Sequence, residues 1–258
     1  MLSDEDFLRY SRQLMLPDCG EAGILRLQAS RVVIVGLGGL GSVAASYLAG
    51  AGVGELILID HDRLSLSNLP RQPLYDLEGL KQSKADLARK RLLSQNPNVR
   101  IEAVAQALNA ANAKKLLGGD IDAVLDCTDN MATRQLVNQS CQKYRQVLFS
   151  AAAIGYQGQY IALHPQSGKG CYHCLYPDVD LPAESCSSAG VMGPVVGMLG
   201  ALQGLQAIRF LLGQKVQWSQ LQLFDGHQLQ WQSFAVPQIN DCPACSFHHQ
   251  EVSSADNL

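Results

Sequence analysis

Two Cys-x-x-Cys pairs, Cys171-Tyr-His-Cys174 and Cys242-Pro-Ala-Cys245, can each give two thiolates to one tetrahedral metal ion. Four sulfur ligands fill the coordination shell of Zn²⁺ and leave no open position for catalysis, so such a site would staple the chain end to the region around Gly170. Neither pair opens a helix after a strand, as a thioredoxin-like redox motif does, which favours zinc over disulfide exchange. His173 lies inside one knuckle and His248 and His249 follow the other, so each is an alternative ligand.

A second constellation is Gly36-Leu-Gly38-Gly39-Leu-Gly41, which follows a β-branched run and opens a helix-like segment. Its glycines let a backbone turn tightly and let phosphate oxygens approach amide N–H groups at a helix N-terminus. Asp60 lies 19 residues after Gly41, at the tip of the next strand, where a carboxylate accepts hydrogen bonds from a ribose. NAD and ATP both fit this pair of features. Beyond it come Asn68, Arg71, Gln72 and Lys84. Hydride transfer has no need of these charges, whereas attack on a nucleoside triphosphate builds negative charge that Arg and Lys stabilise. Asp126-Cys-Thr-Asp129-Asn130 ends another strand, and an aspartate there can hold Mg²⁺ together with phosphate oxygens. Thr128 or Asp129 can also cap the helix that follows; between them, Asp126 and Asp129 are expected to divide metal binding and capping.

Of the remaining cysteines, Cys127 and Cys141 read as small buried hydrophobes, and Cys19 as an ordinary thiol. Cys186 differs: it sits among small polar residues just before an apolar helix, whose N-terminus lowers a nearby thiol pKa. It is the candidate for sulfur chemistry.

The elements that must position these residues alternate. Strand-like runs at residues 31–36, 55–60, 99–105, 121–126 and 146–151 are separated by helix-like segments at 39–52, 83–94, 110–117 and 130–144. Such spacing implies right-handed βαβ crossovers and an α/β, Rossmann-like, doubly wound and largely parallel sheet. After Gly155 the pattern changes to strands at 158–163, 220–224 and 228–236, an antiparallel extension ending at the zinc staple. The expected organisation is a helical arm over residues 1–30, beginning with a Ser3/Asp6 capping box, one catalytic domain over 31–245, and a flexible tail over 246–258.

With 258 residues, 47% of them hydrophobic, and a formal net charge of −3, the chain can build a sizeable core. It has no excess of positive charge for nucleic acid. The acidic start lacks the basic and apolar regions of a secretory leader, which points to the reducing cytoplasm. Residues 191–213 are apolar enough to span a bilayer, but Gln203, Gln206 and Arg209 interrupt them at three-residue spacing and favour a buried or interface helix.

Assembled in this order, the glycine turn, Asp60, Asn68, Arg71, Gln72, Lys84, the 126–130 stretch and both knuckles resemble the ThiF/MoeB/HesA adenylyltransferases, relatives of the ubiquitin-activating enzymes, over residues 9–245. The resemblance implies adenylylation of the C-terminal Gly-Gly carboxylate of a ubiquitin-like sulfur carrier protein by MgATP, with release of pyrophosphate. It implies that Gly36, Gly38, Gly39 and Gly41 belong to the nucleotide site, with Gly39 and Gly41 approaching the phosphates. Asp60 would hold the ribose, Asn68, Arg71, Gln72 and Lys84 would bind the triphosphate, and Asp129 would carry magnesium. Arg9-Tyr-Ser-Arg12-Gln13 resembles the family's N-terminal arginine motif, in which Arg12 would complete the ATP site of the partner subunit in a homodimer.

Asn130-Met-Ala-Thr-Arg134 and residues 186–197 look most like the thiamine-pathway member, whose matched cysteine forms an acyl disulfide with the carrier. A ThiS-like carrier is therefore expected, with a cysteine desulfurase or sulfurtransferase as sulfur source and a MoaD-like carrier as the alternative. Pro70 stands where the family usually has glutamine and would stiffen the loop carrying Arg71. The 13 residues after Cys245 would be too few for the rhodanese-like domain fused to some relatives. Two competing readings are an NAD-dependent oxidoreductase, resting on the glycine turn and Asp60 alone, and a non-catalytic, zinc-stapled dimer that docks ubiquitin-like proteins.

Overall fold

The computed structural model describes residues 1–177 and 190–246; Cys186, His248 and His249 lie outside the described residues. Among the described residues the elements are α1 (Asp4–Arg9), α2 (Ser11–Leu14), α3 (Gly20–Ala29), β1 (Arg31–Val35), α4 (Gly39–Ala51), β2 (Glu55–Ile59), α5 (Lys84–Gln95), β3 (Arg100–Val104), α6 (Ala110–Leu117), β4 (Ala123–Asp126), α7 (Met131–Tyr144), β5 (Val147–Ile154), β6 (Gln157–Leu163), α8 (Tyr172–Leu175), α9 (Gly193–Leu211), β7 (Gln220–Asp225) and β8 (Gln230–Ala235). The sheet runs β3-β2-β1-β4-β5-β6-β7-β8. The first five strands in that order are parallel, and β6, β7 and β8 add an antiparallel meander.

Alternation along β1 and β2 explains the two layers. Val32, Ile34, Leu56 and Leu58 face a core shared with α3, α4, α5 and α9, whereas Val33, Val35, Ile57 and Ile59 face a second core with α6, α7 and the knuckle cysteines. Between β1 and β4 the strand order reverses, so the connections leave toward opposite faces and open a crevice at the carboxyl edge.

The capping box at Ser3 and Asp6 forms as expected, with Asp6 N donating to Ser3 Oγ at 3.2 Å and Ser3 N to Asp6 Oδ2 at 3.0 Å. The first thirty residues pack against the body. Tyr10 is buried, its hydroxyl accepts from Asn96 Nδ2 at 3.0 Å, and its ring covers Gly52, where a Cβ would sit 2.7 Å from it.

Helix α9 is long and apolar enough to cross a membrane by composition, yet its polar interruption has a local purpose. Gln203 is fully buried and donates Nε2 to Asp126 O at 2.9 Å and Phe149 O at 2.7 Å, while its Oε1 accepts from Cys127 Sγ at 3.2 Å. Gly200 brings the helix against α4, since a Cβ there would lie 2.5 Å from Leu40 O. Gln203 therefore pins α9 to the end of β4 and to β5. Gln203→Leu removes hydrogen bonds to two buried carbonyls, and the expected cost is about 2 kcal/mol. A urea midpoint that falls with an unchanged m-value would show it; an unshifted midpoint would refute it.

Candidate active site at the carboxyl edge of the sheet

Strand β1 delivers the chain to Gly36, whose φ of +89° suits glycine, and Gly38 caps α4. A Cβ on Gly36 would approach Cys127 O to 2.8 Å, so the turn nests against the end of β4. A cavity of about 320 Å³ opens there, lined by Gly36, Gly38, Gly39, Asp60, Asn68, Arg71, Gln72, Lys84 and Asp129. Residues from separate segments of the chain thus share one space. Gly41 lies behind the cavity wall, and a Cβ on it would lie 1.8 Å from Gly36 O. The absence of a side chain there lets α4 pack onto the turn. Arg12 is exposed on α2 and also does not line its own chain's cavity.

Asp60 is nearly buried and uses both oxygens, Oδ2 accepting from Leu37 N and Oδ1 from Asp62 N, each at 2.7 Å. Burial pushes its pKa up, against the lowering effect of those amides and of Lys84. Lys84, at the first turn of α5 behind the N-cap Ser83, is buried and pairs with Asp62 Oδ2 at 2.8 Å. Sequence reasoning missed Asp62, whose only signal was its place two residues after Asp60. Burial works against its charge, yet Lys84 holds its pKa below the ordinary value.

A 3₁₀ turn, Leu66–Arg71, carries the next groups, fixed at its start by reciprocal Ser65 and Asn68 bonds and holding Pro70 within it. Arg71 Nη1 donates to Ser67 O at 2.7 Å. Gln72 is 2% exposed, and its Oε1 faces no partner among the described residues. A buried acceptor left open beside the cavity suits a donor from a ligand or water.

At the end of β4 the expected division between Asp126 and Asp129 does not hold. Asp126 is fully buried and pairs with Arg134 of α7, so it is neither exposed for magnesium nor a cap. Asn130, not Thr128 or Asp129, caps α7, accepting from Thr133 N at 2.9 Å. Asp129 is exposed at the rim. It also borders a second cavity of about 500 Å³ built from β5, β6, β7 and β8, with Gln157, Gln159, Tyr176, Leu223, Gln230 and Gln232 on its wall. Asp129, Arg134 and Ala153 line both cavities, which makes the two spaces neighbours through one junction. Sequence reasoning placed no role on Arg134 beyond the resemblance.

The four knuckle cysteines converge. Sγ separations are 3.9 Å for Cys171 to Cys174, 3.8 Å for Cys171 to Cys242 and 3.6 Å for Cys174 to Cys245, and all four lie within 4.8 Å of one another. A Zn–S bond of about 2.3 Å gives a tetrahedron with edges of about 3.8 Å, so the cluster is compatible with zinc. Hydrogen bonds from Cys245 and Asn138 overcome burial and lower the Cys171 pKa to about 5. His173 is outside the cluster. Cys127 and Cys141 are buried, and burial raises both thiols, as suits inert residues. Elemental analysis is expected to find one zinc per chain, and Cys242→Ala to lose it with a stability drop of more than about 2 kcal/mol. Metal-free protein of unchanged stability would exclude the structural role.

The sequence profile of the ThiF family matches residues 10–244. The sulfur carrier protein ThiS adenylyltransferase of Escherichia coli (strain K12) is 46% identical over 244 residues, spanning 95% of this chain and 97% of that protein. The adenylyltransferase and sulfurtransferase MOCS3 of Drosophila grimshawi is 43% identical over 250 residues, and the match spans 95% of this chain but only 55% of that longer protein. Crystal structures share the fold at lower identity. E. coli MccB with MccA-N7isoASN superposes with a TM-score of 0.82 at 23% identity, covering 92% of this chain and 75% of MccB. MccB with ATP gives 0.77 at 19% identity, covering 95% and 82%. A profile match along nearly the whole chain, joined to full-length identity with a bacterial relative, places it: the chain belongs to the ThiF family.

Proposed function

We propose that this protein adenylylates the C-terminal carboxylate of a ThiS-like sulfur carrier protein, consuming ATP and releasing pyrophosphate. The observation that carries the reading is the junction at Asp129 and Arg134 between a glycine-floored, cation-lined cavity and a second cavity walled by the antiparallel strands. ATP would occupy the first, and an extended carrier tail entering through the second would bring its carboxylate to the junction.

A carboxylate is a poor electrophile, and adenylylation gives it a leaving group. One carboxylate oxygen attacks the α-phosphorus, the bond from that phosphorus to the bridging oxygen breaks, and pyrophosphate departs with the electron pair. No side chain needs to act as nucleophile; the work is positioning and stabilising charge on phosphate oxygens. Gly38 and Gly39 admit the phosphates, Asp60 accepts from the ribose, and Asn68, Arg71, Gln72 and Lys84 face the triphosphate. Asp129, exposed and free of hydrogen bonds among the described residues, is the group that would hold Mg²⁺, which neutralises triphosphate charge. Arg71, Lys84 and Asp129 have no task in hydride transfer or in a scaffold, which disfavours both competing readings. Cys186 is the residue expected to enter the later sulfur step, supplied by a cysteine desulfurase or sulfurtransferase. A MoaD-like carrier is the second reading, favoured by the similarity to MOCS3.

ATP–pyrophosphate exchange tests the assignment. Activity is expected with a thiamine-pathway carrier, and Arg71→Ala or Asp129→Ala should lower it by roughly two decades while the circular dichroism spectrum is retained. Exchange near the unmutated rate in either variant would sink the role of that residue, and activity with a molybdopterin carrier alone would move the protein to the other pathway.

The exposed Arg12 supports a homodimer in which each arm completes the neighbouring site. Mixing Arg12→Ala with Asp129→Ala protomers should then restore activity that neither parent has, because one of the two sites in the mixed dimer is intact. A mixed dimer as inactive as its parents would contradict the shared site.

A further inference from the structure

We propose that Asp126, Thr128, Ser150 and Arg134 form a positioning clamp that sets the direction of Asp129 at the junction of the two cavities. The inference rests on the reading of Asp129 as the group that faces the triphosphate and its metal.

Asp126 ends β4 with no exposure to solvent, and four donors reach its carboxylate. Oδ1 accepts from Thr128 N at 3.1 Å and from Thr128 Oγ1 at 2.6 Å. Oδ2 accepts from Ser150 Oγ at 2.7 Å and from Arg134 Nη1 at 3.4 Å. Arg134 reaches back from the first turn of α7, where its Nη2 donates to Thr128 O and, at 3.0 Å, to Ala151 O. Thr128 is thereby held at its amide, its carbonyl and its hydroxyl. On the other side, Asn130 is fixed by its capping bond to Thr133 N. Asp129 lies between two residues held in place, so its Cα–Cβ bond leaves the backbone in a set direction although no hydrogen bond among the described residues holds its carboxylate.

Stability alone explains this arrangement poorly. A buried ion pair often contributes no more than well-packed apolar side chains of the same volume, because both charges must leave water. This pair instead ties β4, β5, the 127–130 turn and α7 to one another beside the reacting groups. Misplacing a reacting group by a fraction of its reach is costly in rate, and small shifts of Asp129 would have that effect.

The test is a double-mutant cycle in the full-length protein, read by carrier-dependent ATP–pyrophosphate exchange over a range of Mg²⁺ concentrations. Thr128→Val removes one hydroxyl from the clamp. It is expected to lower kcat by roughly tenfold, to raise the Mg²⁺ needed for half-maximal rate, and to leave the KM for ATP within about twofold. Thr128→Ser should restore both quantities, and Ser150→Ala should repeat the Thr128→Val pattern from the other side of Asp126. Combined with Asp129→Ala, Thr128→Val should cost nothing further. A clamp variant that keeps the unmutated rate and Mg²⁺ dependence overturns the proposal, as does an equal loss in the Asp129→Ala background. Should Asp129→Ala itself retain the full rate, the reading of the site fails, an outcome distinct from a clamp that fails while Asp129→Ala is inactive. If Thr128→Val does not fold, Ser150→Ala in the same cycle decides.

Discussion

The reversal of strand order between β1 and β4 is the constraint on which the rest of the molecule depends. Two parallel strands end side by side, their following segments depart to opposite faces, and a crevice stays open at the edge between them. Into that gap the chain sends a glycine turn from one strand and an acidic turn from the other, and Gly36 and Cys127 meet at a spacing that excludes a side chain on the glycine. The cations arrive from elsewhere, on the excursion that follows β2. The site is therefore an edge property of the sheet, and its chemistry depends on keeping three strand ends in register.

The cations do not wait unengaged. Lys84 rests on Asp62 and Arg71 on the carbonyl of Ser67, so both are oriented before any ligand arrives. Such preorganisation spares a reorganisation cost when phosphate charge develops. It also explains how a chain of net charge −3 would serve a polyanion: the positive groups are few, local and individually aimed.

What was legible in the sequence is what depends on neighbours along the chain. The alternation of strands and helices, the glycine turn, the acidic tip of β2, the capping box at Ser3 and the thiol spacing all report short-range requirements, and the structure keeps them. The roles that stayed hidden depend on how the folded backbone brings groups together, not on letter or spacing. Gly41 has the spacing of a phosphate-facing glycine, yet only the fold shows Gly36 O against it. Asp126 and Asp129 are equivalent as letters, and they part because Arg134 and Ser150 enclose one while solvent meets the other. Gln203 read as an interruption of an apolar helix because its two carbonyl partners lie on other strands. The junction of the two cavities had no sequence signal, since β5 to β8 build one wall and residues 129 and 134 the other.

The converging cysteines carry a further consequence. Between Cys174 and Cys242 lie 67 residues that include α9, β7 and β8, hence the pin at Gln203 and most of the second cavity's outer wall. A metal gripping all four thiols closes that stretch into a loop, which by the entropy of loop closure disfavours the unfolded chain by about 4 kcal/mol. The metal would tether that wall at its far end. With a metal bound, unfolding of the meander and loss of the metal would become one event.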